Sequence, residues 1–372
     1  MDSINKTSSG LNTDFDIMIV GGGPAGVSTW LHLHKYAPEL AEKTVLIEKE
    51  RYPRDKLCGG AILDWGQAIL RKLNIQISVP NVSINKAIYR YCNEEYCHKV
   101  PNFLKIVRRL EFDYALAKEA TNRGLMLHQN EEFIDYSSSN SGVIVKTNKG
   151  EYNVRVIVGA DGALSKVRAK MKLQTKPRYA TAIEIFNPVN QEYDPEFKEN
   201  TTFMDFTPIK EGVQGYVWHF PCIKNGKPFM NHGICDARIY KNRPRVNLKK
   251  IFSHELRSRQ INFPPKKWSG HPIPWLEKQI HLSRSNMILV GDAAGIEPLI
   301  GGGIHLSLAY GDLAANAIVD AFQNSNYSFN DYNDRFMNHS VGKYINKLTL
   351  IAHEVYTGRS SILDSLRALL KK

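Results

Sequence analysis

One glycine-rich turn between two apolar strands constrains this chain more than any other feature. The run from Ile17 to Val20 is long enough for a buried strand and too short for a helix. Three glycines follow it at the spacing G-x-G-x-x-G, namely Gly21, Gly23 and Gly26. The first permits a tight turn, the second lets the backbone approach a pyrophosphate, and the third lets the next helix pack closely on the strand. The turn therefore predicts a phosphate-binding loop.

The residues after the turn complete the pattern of a dinucleotide site. Pro24 stands where the helix begins, and its missing N–H costs little there. The helix N-terminus presents free N–H groups and a positive dipole end to phosphates. Glu48 follows Gly26 by 22 residues, at the end of the strand over 44–48, where it can accept hydrogen bonds from a ribose. A glycine-rich turn without a ligand is the alternative, but strand, helix and acid in register favour a bound dinucleotide.

The length and composition are those of a protein with a substantial core. The 372 residues have room for two or three domains, and 42% of them are hydrophobic. No apolar run approaches about 18 residues and no signal-peptide pattern is present, so we expect a cytoplasmic protein without a transmembrane segment. The polar residues 1–13 are predicted to be a disordered lead. Five scattered cysteines favour a reducing compartment, and we expect no metal site.

The net charge of +12 is concentrated in one segment, which we call the basic segment, residues 238–267. It carries ten basic residues and one acid, Glu255, and so accounts for +9 of the total. A solvated helix face is one explanation. The alternatives are an acidic protein partner, an anionic membrane surface or a phosphorylated substrate. Nucleic acid is not expected, because aromatic stacking residues are not interleaved with these charges.

Two further apolar strands end in glycine and aspartate turns. One, over 156–158, leads into Gly-Ala-Asp-Gly at 159–162. The other, over 287–290, leads into Gly-Asp-Ala-Ala-Gly at 291–295, three glycines at 301–303 and a helix predicted over 304–322. Both strands are predicted to return to the nucleotide sheet. The predicted nucleotide domain is therefore discontinuous, and consists of residues 14–75, 105–178 and 280–330.

The intervening segments predict a second sheet. Short aromatic-rich runs bounded by turn residues lie at 181–188, 202–206, 215–221 and 229–235, which is typical of antiparallel strands. We assign residues 76–104 and 179–279 to this second domain, and residues 331–372 to C-terminal helices. A helix is also predicted over 61–73, and a strand over 151–158 is predicted to pair with 142–147.

The three turn motifs, in this order, resemble the aromatic-hydroxylase superfamily of FAD proteins over residues 16–322. The resemblance implies an α/β fold with a Rossmann-like FAD domain of the glutathione-reductase or hydroxylase type, a mostly antiparallel substrate domain and a helical tail. It implies that Asp292 binds the ribityl chain and that Arg109 meets the FAD phosphates. It also implies that the helix from Gly303 aims its positive end at the flavin and stabilises an anionic reduced ring.

Together, the first motif and the resemblance place the FAD among residues from several distant parts of the chain. These cofactor-binding candidates are Gly21, Gly22, Gly23, Pro24, Ala25, Gly26, Glu48, Lys49, Lys56, Cys58, Gly59, Gly60, Arg109, Asp161, Gly162, Gly291, Asp292, Ala293, Gly301, Gly302, Gly303 and Ile304.

Two runs narrow the resemblance to one branch. Residues 53–60, Pro-Arg-Asp-Lys-Leu-Cys-Gly-Gly, resemble the Pro-Arg-x-Lys-x-Cys-Gly-Gly run of geranylgeranyl-reductase-like flavoproteins. Residues 216–221, Tyr-Val-Trp-His-Phe-Pro, resemble the Tyr-x-Trp-x-Phe-Pro strand that lines their substrate cavity. Tryptophan halogenases have Trp-x-Trp-x-Ile-Pro there, so halogenation is not expected. One departure is the triplet at 301–303, where the reductases usually have Gly-Glu-Gly.

Four residues are candidates for the chemistry. Tyr216 and Trp218 are two positions apart on a strand, so their side chains share a face. They form either an aromatic wall or an ordinary core pair. Cys58 either lies over the isoalloxazine ring or is a small buried hydrophobe. His305, two residues after Gly303, is either near the flavin edge or structural.

Three functions are compatible with these features. The leading hypothesis is a monooxygenase that hydroxylates a tryptophan of an acidic precursor protein, docked on the basic segment, because the same branch includes flavoproteins that mature quinone-cofactor amino-acid oxidases. The second is reduction of isoprenoid double bonds, with an anionic lipid at that segment. The third is a flavin-free escort protein. Electrons would come from NAD(P)H, bound transiently, or from a separate reductase, and we expect a monomer.

Overall fold

The structure is a computed structural model and describes residues 14–139, 142–262, 264, 268–277 and 281–371. The predicted disordered lead, 1–13, lies outside these ranges, as do Phe263, Lys266 and Lys267 of the basic segment. Among the described helices, none combines the length and apolar character needed to cross a bilayer.

The strands of the described part of the chain form three sheets. In chain order they are Ile17–Val20 (β1), Thr44–Glu48 (β2), Ala61–Leu63 (β3), Asn81–Tyr91 (β4), Glu94–Val107 (β5), Met126–Gln129 (β6), Phe133–Ser139 (β7), Gly142–Thr147 (β8), Glu151–Val154 (β9), Val156–Gly159 (β10), Arg178–Pro188 (β11), Thr201–Asp205 (β12), Gly215–Lys224 (β13), Lys227–Asp236 (β14), Ser269–Trp275 (β15), Ser283–Arg284 (β16) and Met287–Leu289 (β17).

The helices flank these strands and close the chain. They are Pro24–Tyr36 (α1), Pro38–Glu42 (α2), Asp64–Lys72 (α3), Arg109–Asn122 (α4), Lys166–Met171 (α5), Pro195–Lys198 (α6), Leu248–Ser258 (α7), Gly291–Ala294 (α8), Gly303–Gln323 (α9), Tyr332–Asn338 (α10), Ser340–Thr357 (α11) and Ile362–Leu370 (α12), with a 3₁₀ turn at Thr207–Glu211.

The nucleotide sheet has the strand order β16-β17-β10-β1-β2-β6. Strand β1 pairs in parallel with β10 on one side and β2 on the other, while β16 is antiparallel to β17. Strands β1, β2 and β10 are buried along their whole length, as expected for parallel strands covered on both faces. The carboxyl ends of β1, β10 and β17 therefore lie side by side, and each leads into one of the three glycine turns.

The second sheet has the order β15-β11-β14-β13-β12-β4-β5-β3 and is antiparallel except where β12 runs parallel to β4. Residues alternate between its two faces. Tyr216 and Trp218 belong to the apolar cluster shared with α11 and α12, whereas Val217 packs with Phe252 of α7 on the opposite face. This alternation decides which side chains of β13 face the cofactor domain.

Two expectations about local structure are wrong. Ala61–Leu63 forms strand β3 paired with β5, so the helix predicted over 61–73 begins only at Asp64. The strand predicted over 151–158 is divided at Arg155, whose N–H donates to the Asp16 carbonyl at 2.8 Å. Its first half joins a three-stranded sheet, β7-β8-β9, and its second half is β10 of the nucleotide sheet.

Helix α9 is the central helix of the nucleotide domain and packs against α1. The Ser28 hydroxyl of α1 donates to the Leu308 carbonyl of α9 at 2.7 Å. A side chain at Gly311 would overlap Ser28, so glycine there allows the two helices to approach closely. The contact holds the N-terminus of α9 at the same sheet edge as the N-terminus of α1.

Candidate active site

The first glycine turn is held by hydrogen bonds to the neighbouring strand β2. The Gly21 N–H donates to the Ile47 carbonyl at 2.8 Å, and the Gly22 N–H donates to Oε2 of Glu48 at 2.9 Å. Gly21 has a φ of +108°, a conformation that favours glycine. A Cβ at Gly26 would overlap the Gly21 carbonyl oxygen, so a larger residue there would disturb the turn. Gly21 and Gly26 thus serve backbone geometry, as the spacing predicts.

Gly23 differs from these glycines because open space lies beside it. A Cβ there would lie 3.8 Å from Nη2 of Arg109 and 3.9 Å from Nη2 of Arg54. Two buried guanidinium groups and the N-terminus of α1 therefore converge on this part of the turn. That combination of positive charge, free N–H groups and room suits a pyrophosphate.

Carboxylates hold these two arginines in place. Asp113 accepts from Arg109 Nε at 2.6 Å and Nη2 at 2.7 Å, and from Arg54 Nη1 at 3.0 Å. The Arg54 Nε lies 3.2 Å from Oε2 of Glu48. Burial lowers the pKa of Arg109, but Asp113 outweighs it and the net shift is upward. Arg109 therefore belongs to a buried ion cluster, and Arg54 is a member that the sequence did not single out.

The turn after β17 contains Asp292. Its Oδ2 lies 2.7 Å from Nζ of Lys56, in the loop after β2. Burial raises the pKa of Asp292, but Lys56 outweighs it and holds that pKa below its ordinary value. Arg168 of α5 donates to the Ala293 and Ala294 carbonyls at 2.8 and 2.7 Å, which secures the C-terminal end of α8. The structure therefore brings together Lys56, Asp292 and Ala293.

A buried carboxylate forms the glycine-rich turn before α9. Glu297 accepts from the N–H groups of Leu299 at 2.6 Å, Ile300 at 3.0 Å and Gly302 at 2.8 Å. Helix α9 then begins at Gly303, where a Cβ would lie 3.8 Å from Oδ1 of Asp292. The positive N-terminal end of this 21-residue helix therefore lies beside Asp292, the residue predicted to bind the ribityl chain.

Of the other predicted cofactor residues, some lie at the glycine turns and one does not. Asp161 accepts from the Ser165 hydroxyl at 2.5 Å and the Val167 N–H at 3.0 Å, so its carboxylate stabilises the start of α5. Gly162 follows it with a φ of +79°. Lys49 is exposed, and its Nζ lies 3.9 Å from Oε1 of Glu50. No contact in the described residues brings the Lys49 ammonium to the glycine turn.

Tyr216 and Trp218 form an aromatic wall beside the loop at 58–60. Their ring centroids are 6.1 Å apart, and the Tyr216 hydroxyl donates to the Ile300 carbonyl in the turn before α9. A Cβ at Gly59 would lie 3.3 Å from the Phe220 ring and 3.6 Å from Nε1 of Trp218. A Cβ at Gly233 would overlap the Trp218 ring, which therefore lies directly over β14.

Sequence reasoning missed two polar residues behind this wall. Glu184 of β11 accepts from the Cys58 N–H at 3.2 Å and from the Asn231 amide at 3.3 Å. Asn231 of β14 in turn accepts from Nε1 of Trp218 at 2.6 Å. Burial raises the pKa of Glu184 to about 7. The sequence did offer a signal for Glu184, because it is an acid within an apolar strand and lies on the same face of that strand as Ala180 and Ala182.

Cys58 and His305 are both groups whose pKa values are shifted by burial. Burial raises the pKa of the Cys58 thiol, whose sulfur accepts from the Gly60 N–H at 3.4 Å. Burial lowers the pKa of His305 to about 4, so its ring is neutral at neutral pH. Both His305 ring nitrogens are buried without a partner in the described residues, and the ring packs between Trp65 and Tyr344. Neither group carries a charge at neutral pH.

The glycine turns and the buried arginines point to one family. The family described as FAD binding domain matches residues 14–309 of this chain. The protein belongs to this FAD binding domain family. Membership confirms FAD as the cofactor, and the structure confirms the predicted α/β fold with its second sheet and C-terminal helices.

Curated relatives cover most of the chain. Digeranylgeranylglycerophospholipid reductase 3 of Methanosphaera stadtmanae is 26% identical and covers 94% of this chain and 89% of its own length. Menaquinone reductase of Mycobacterium tuberculosis is 25% identical and covers 82% of this chain and 76% of its own length. With the family match, these relatives support an FAD-dependent oxidoreductase.

Solved structures share the fold. A geranylgeranyl bacteriochlorophyll reductase-like protein from Thermoplasma acidophilum superposes with a TM-score of 0.76 at 22% identity, over 97% of this chain and 91% of that one. The flavin-dependent halogenase CmlS superposes with a TM-score of 0.67 at 18% identity, over 95% of this chain and 69% of that one.

The residues of this FAD-binding protein fit the cofactor. The open space at Gly23 between Arg54 and Arg109 suits the pyrophosphate, and the ionised Asp292 suits the ribityl hydroxyls. The Glu48 carboxylate already accepts a hydrogen bond from the Gly22 N–H. A ribose hydroxyl would donate to the lone pairs of this carboxylate that remain free. The individual cofactor contacts stay predictions.

Proposed function

We propose that this FAD-dependent oxidoreductase saturates carbon–carbon double bonds in the isoprenoid chain of a lipid. The relatives named as digeranylgeranylglycerophospholipid reductases support this assignment, as do the runs at 53–60 and 216–221. The observation that carries the proposal is the position of Glu184, a protonatable carboxyl behind an aromatic wall and one hydrogen bond from Cys58.

Saturating an isolated double bond requires a hydride on one carbon and a proton on the other. Reduced FAD supplies hydride when it is bound. The chain itself holds a proton at the Glu184 carboxyl, because burial raises its pKa to about 7. A carboxyl that keeps its proton near neutral pH can act as a general acid. Asn231 orients that carboxyl and also anchors the Trp218 indole.

The aromatic wall provides the surroundings that such a reaction needs. Tyr216 and Trp218 are 8% and 6% exposed, so water has little access to the face that they form. Aromatic faces also attract positive charge, which develops on a branched alkene carbon as it is protonated. An apolar, electron-rich surface beside one buried acid suits an isoprenoid chain better than a polar substrate.

The test is an anaerobic assay with purified protein, dithionite as reductant and a geranylgeranyl-bearing phospholipid. Mass spectrometry should show a gain of two hydrogens for each bond reduced. Glu184→Gln should slow the reaction with FAD still bound, while Asp64→Asn, an exposed control, should leave it unchanged. Unchanged lipid mass with flavin-loaded, reducible wild-type protein would reject the proposal.

The earlier leading hypothesis, hydroxylation of a tryptophan on an acidic precursor, has weaker support. It rests on the resemblance to flavoproteins that mature quinone-cofactor oxidases and on the basic segment, and the named relatives do not add to it. If the hypothesis holds, the reduced protein incubated in air with a candidate precursor should add one oxygen atom to that precursor. The flavin-free escort function is set aside because the chain belongs to an FAD family. The electron donor, NAD(P)H or a reductase, stays a prediction, as do the monomeric state and cytoplasmic location.

A further inference from the structure

A pocket of about 380 Å³ lies where the basic segment meets the C-terminal helices. Its lining includes the exposed polar residues Arg243, Arg359 and Ser361, which we call the rim, and the buried residues Tyr356 and Ile362, which we call the inner lining. The pocket is separate from the glycine turns, and the FAD-binding residues do not line it. The pocket thus combines exposed basic residues with buried apolar residues.

The two arginines of the rim come from two elements that are attached to each other. Tyr240 of the basic segment donates its hydroxyl to the His353 carbonyl of α11 at 3.2 Å, which attaches that segment to the helix. The Arg243 guanidinium lies 5.5 Å from the centre of the Tyr240 ring. Arg359 follows the C-terminus of α11 and makes a long contact of 3.5 Å with Glu354. Two exposed arginines thus approach one pocket from separate elements.

Two buried residues of the pocket lining belong to the apolar cluster of the proposed active site. Tyr356 and Ile362 belong to the same apolar cluster as Tyr216 and Trp218. Tyr356 is 1% exposed, and its hydroxyl has no hydrogen-bond partner in the described residues. Buried hydroxyls are normally paired with protein or ordered water, so this one has hydrogen-bonding capacity that the described residues leave unused.

We propose that this pocket, which we call the headgroup pocket, binds the phosphate of a prenyl-lipid headgroup while the prenyl chain enters the apolar cluster behind it. Guanidinium groups match phosphate oxygens in geometry and charge. The arrangement also explains why part of the net charge is concentrated beside α11 and α12. This inference rests on the proposed function, because it concerns the same lipid substrate.

The test is equilibrium binding to oxidised, FAD-loaded protein, measured by calorimetry with geranylgeranyl diphosphate, geranylgeraniol and inorganic diphosphate. The double variant Arg243→Ala/Arg359→Ala should bind geranylgeranyl diphosphate about tenfold to hundredfold more weakly, the effect of losing charged hydrogen bonds. Its affinity for geranylgeraniol should be unchanged. Lys249→Ala/Arg257→Ala removes two positive charges from exposed positions of α7 and should bind both compounds like the wild type.

The outcomes separate this inference from the proposed function. Equal weakening by both double variants would mean that general charge, not the pocket, is responsible, and would overturn the headgroup assignment. Unchanged binding by Arg243→Ala/Arg359→Ala would do the same, with prenyl reduction still intact. Inorganic diphosphate that binds as tightly as the prenyl compound would assign the pocket to free phosphate instead. A wild-type protein that binds no geranylgeranyl diphosphate would overturn the headgroup assignment, whereas prenyl reduction is decided by the anaerobic assay of the phospholipid.

Discussion

The Lys56 ammonium lies 2.7 Å from Oδ2 of Asp292 and joins two loops that are 236 positions apart in the chain. Lys56 belongs to the loop after β2, and Asp292 to the turn after β17. The ion pair keeps the Asp292 pKa low even though the group is buried. The carboxylate is therefore ionised throughout the neutral range and available to hydroxyl donors.

Replacing Asp292 with Asn should weaken FAD binding. Hydrogen bonds to a charged acceptor contribute about 1.5 to 3 kcal/mol, so the FAD dissociation constant should rise about tenfold to hundredfold. Titration of apoprotein with FAD, followed by flavin fluorescence, measures the change. Asp64→Asn, in an exposed pair with Arg71, is the control and should bind FAD normally. Equal affinity for Asp292→Asn and wild type would remove Asp292 from the cofactor site.

Two glycines of the first turn should respond differently to alanine. Gly26→Ala places a Cβ onto the Gly21 carbonyl, and such overpacking costs about 1 to 3 kcal/mol of unfolding free energy, with or without FAD. Gly23→Ala meets no protein atom closer than 3.8 Å, so apoprotein stability should be kept while FAD affinity falls. Urea unfolding of apoprotein and FAD titration separate the two effects. A Gly23→Ala protein with full FAD affinity would place the pyrophosphate elsewhere.

Glu184 should give the enzyme a pH dependence. The acid form is the proton source, so turnover should fall as pH rises through about 7, the raised pKa. Glu184→Gln cannot donate this proton, and its residual rate should show no such decline. A pH–rate profile of prenyl reduction measures both proteins. An identical decline in the Gln variant would assign the titration to another group.

The same residue should affect stability. Because the folded pKa is raised from 4.5 to about 7, the stability contribution is complete below about pH 4.5 and is lost as pH rises through about 7, by about 3 kcal/mol. Glu184→Gln has no such loss. The variant should therefore gain stability relative to wild type between about pH 5 and about pH 8 in urea unfolding. A constant difference across that range would contradict the buried position of the carboxyl.

Local patterns predicted the nucleotide sheet well. Ile17–Val20 and Thr44–Glu48 are short apolar runs next to glycine turns, and both are fully buried parallel strands. Prediction was wrong where pairing decides the conformation. Ala61–Leu63 has helical neighbours in sequence but is a strand because β5 lies beside it. Arg155 divides a continuous β pattern because its N–H bonds to Asp16.

The sequence by itself determined the FAD family, since glycine spacing and an acid at the end of a strand are local requirements of a phosphate turn. Only the tertiary structure decided which distant side chains meet. Glu184 reaches the Cys58 N–H across 126 positions, and Arg54 joins Arg109 at Asp113. Such contacts depend on strand register and on the docking of the second sheet against the nucleotide domain. No short-range pattern encodes them, because the hydrogen bonds form between segments that are adjacent only after folding.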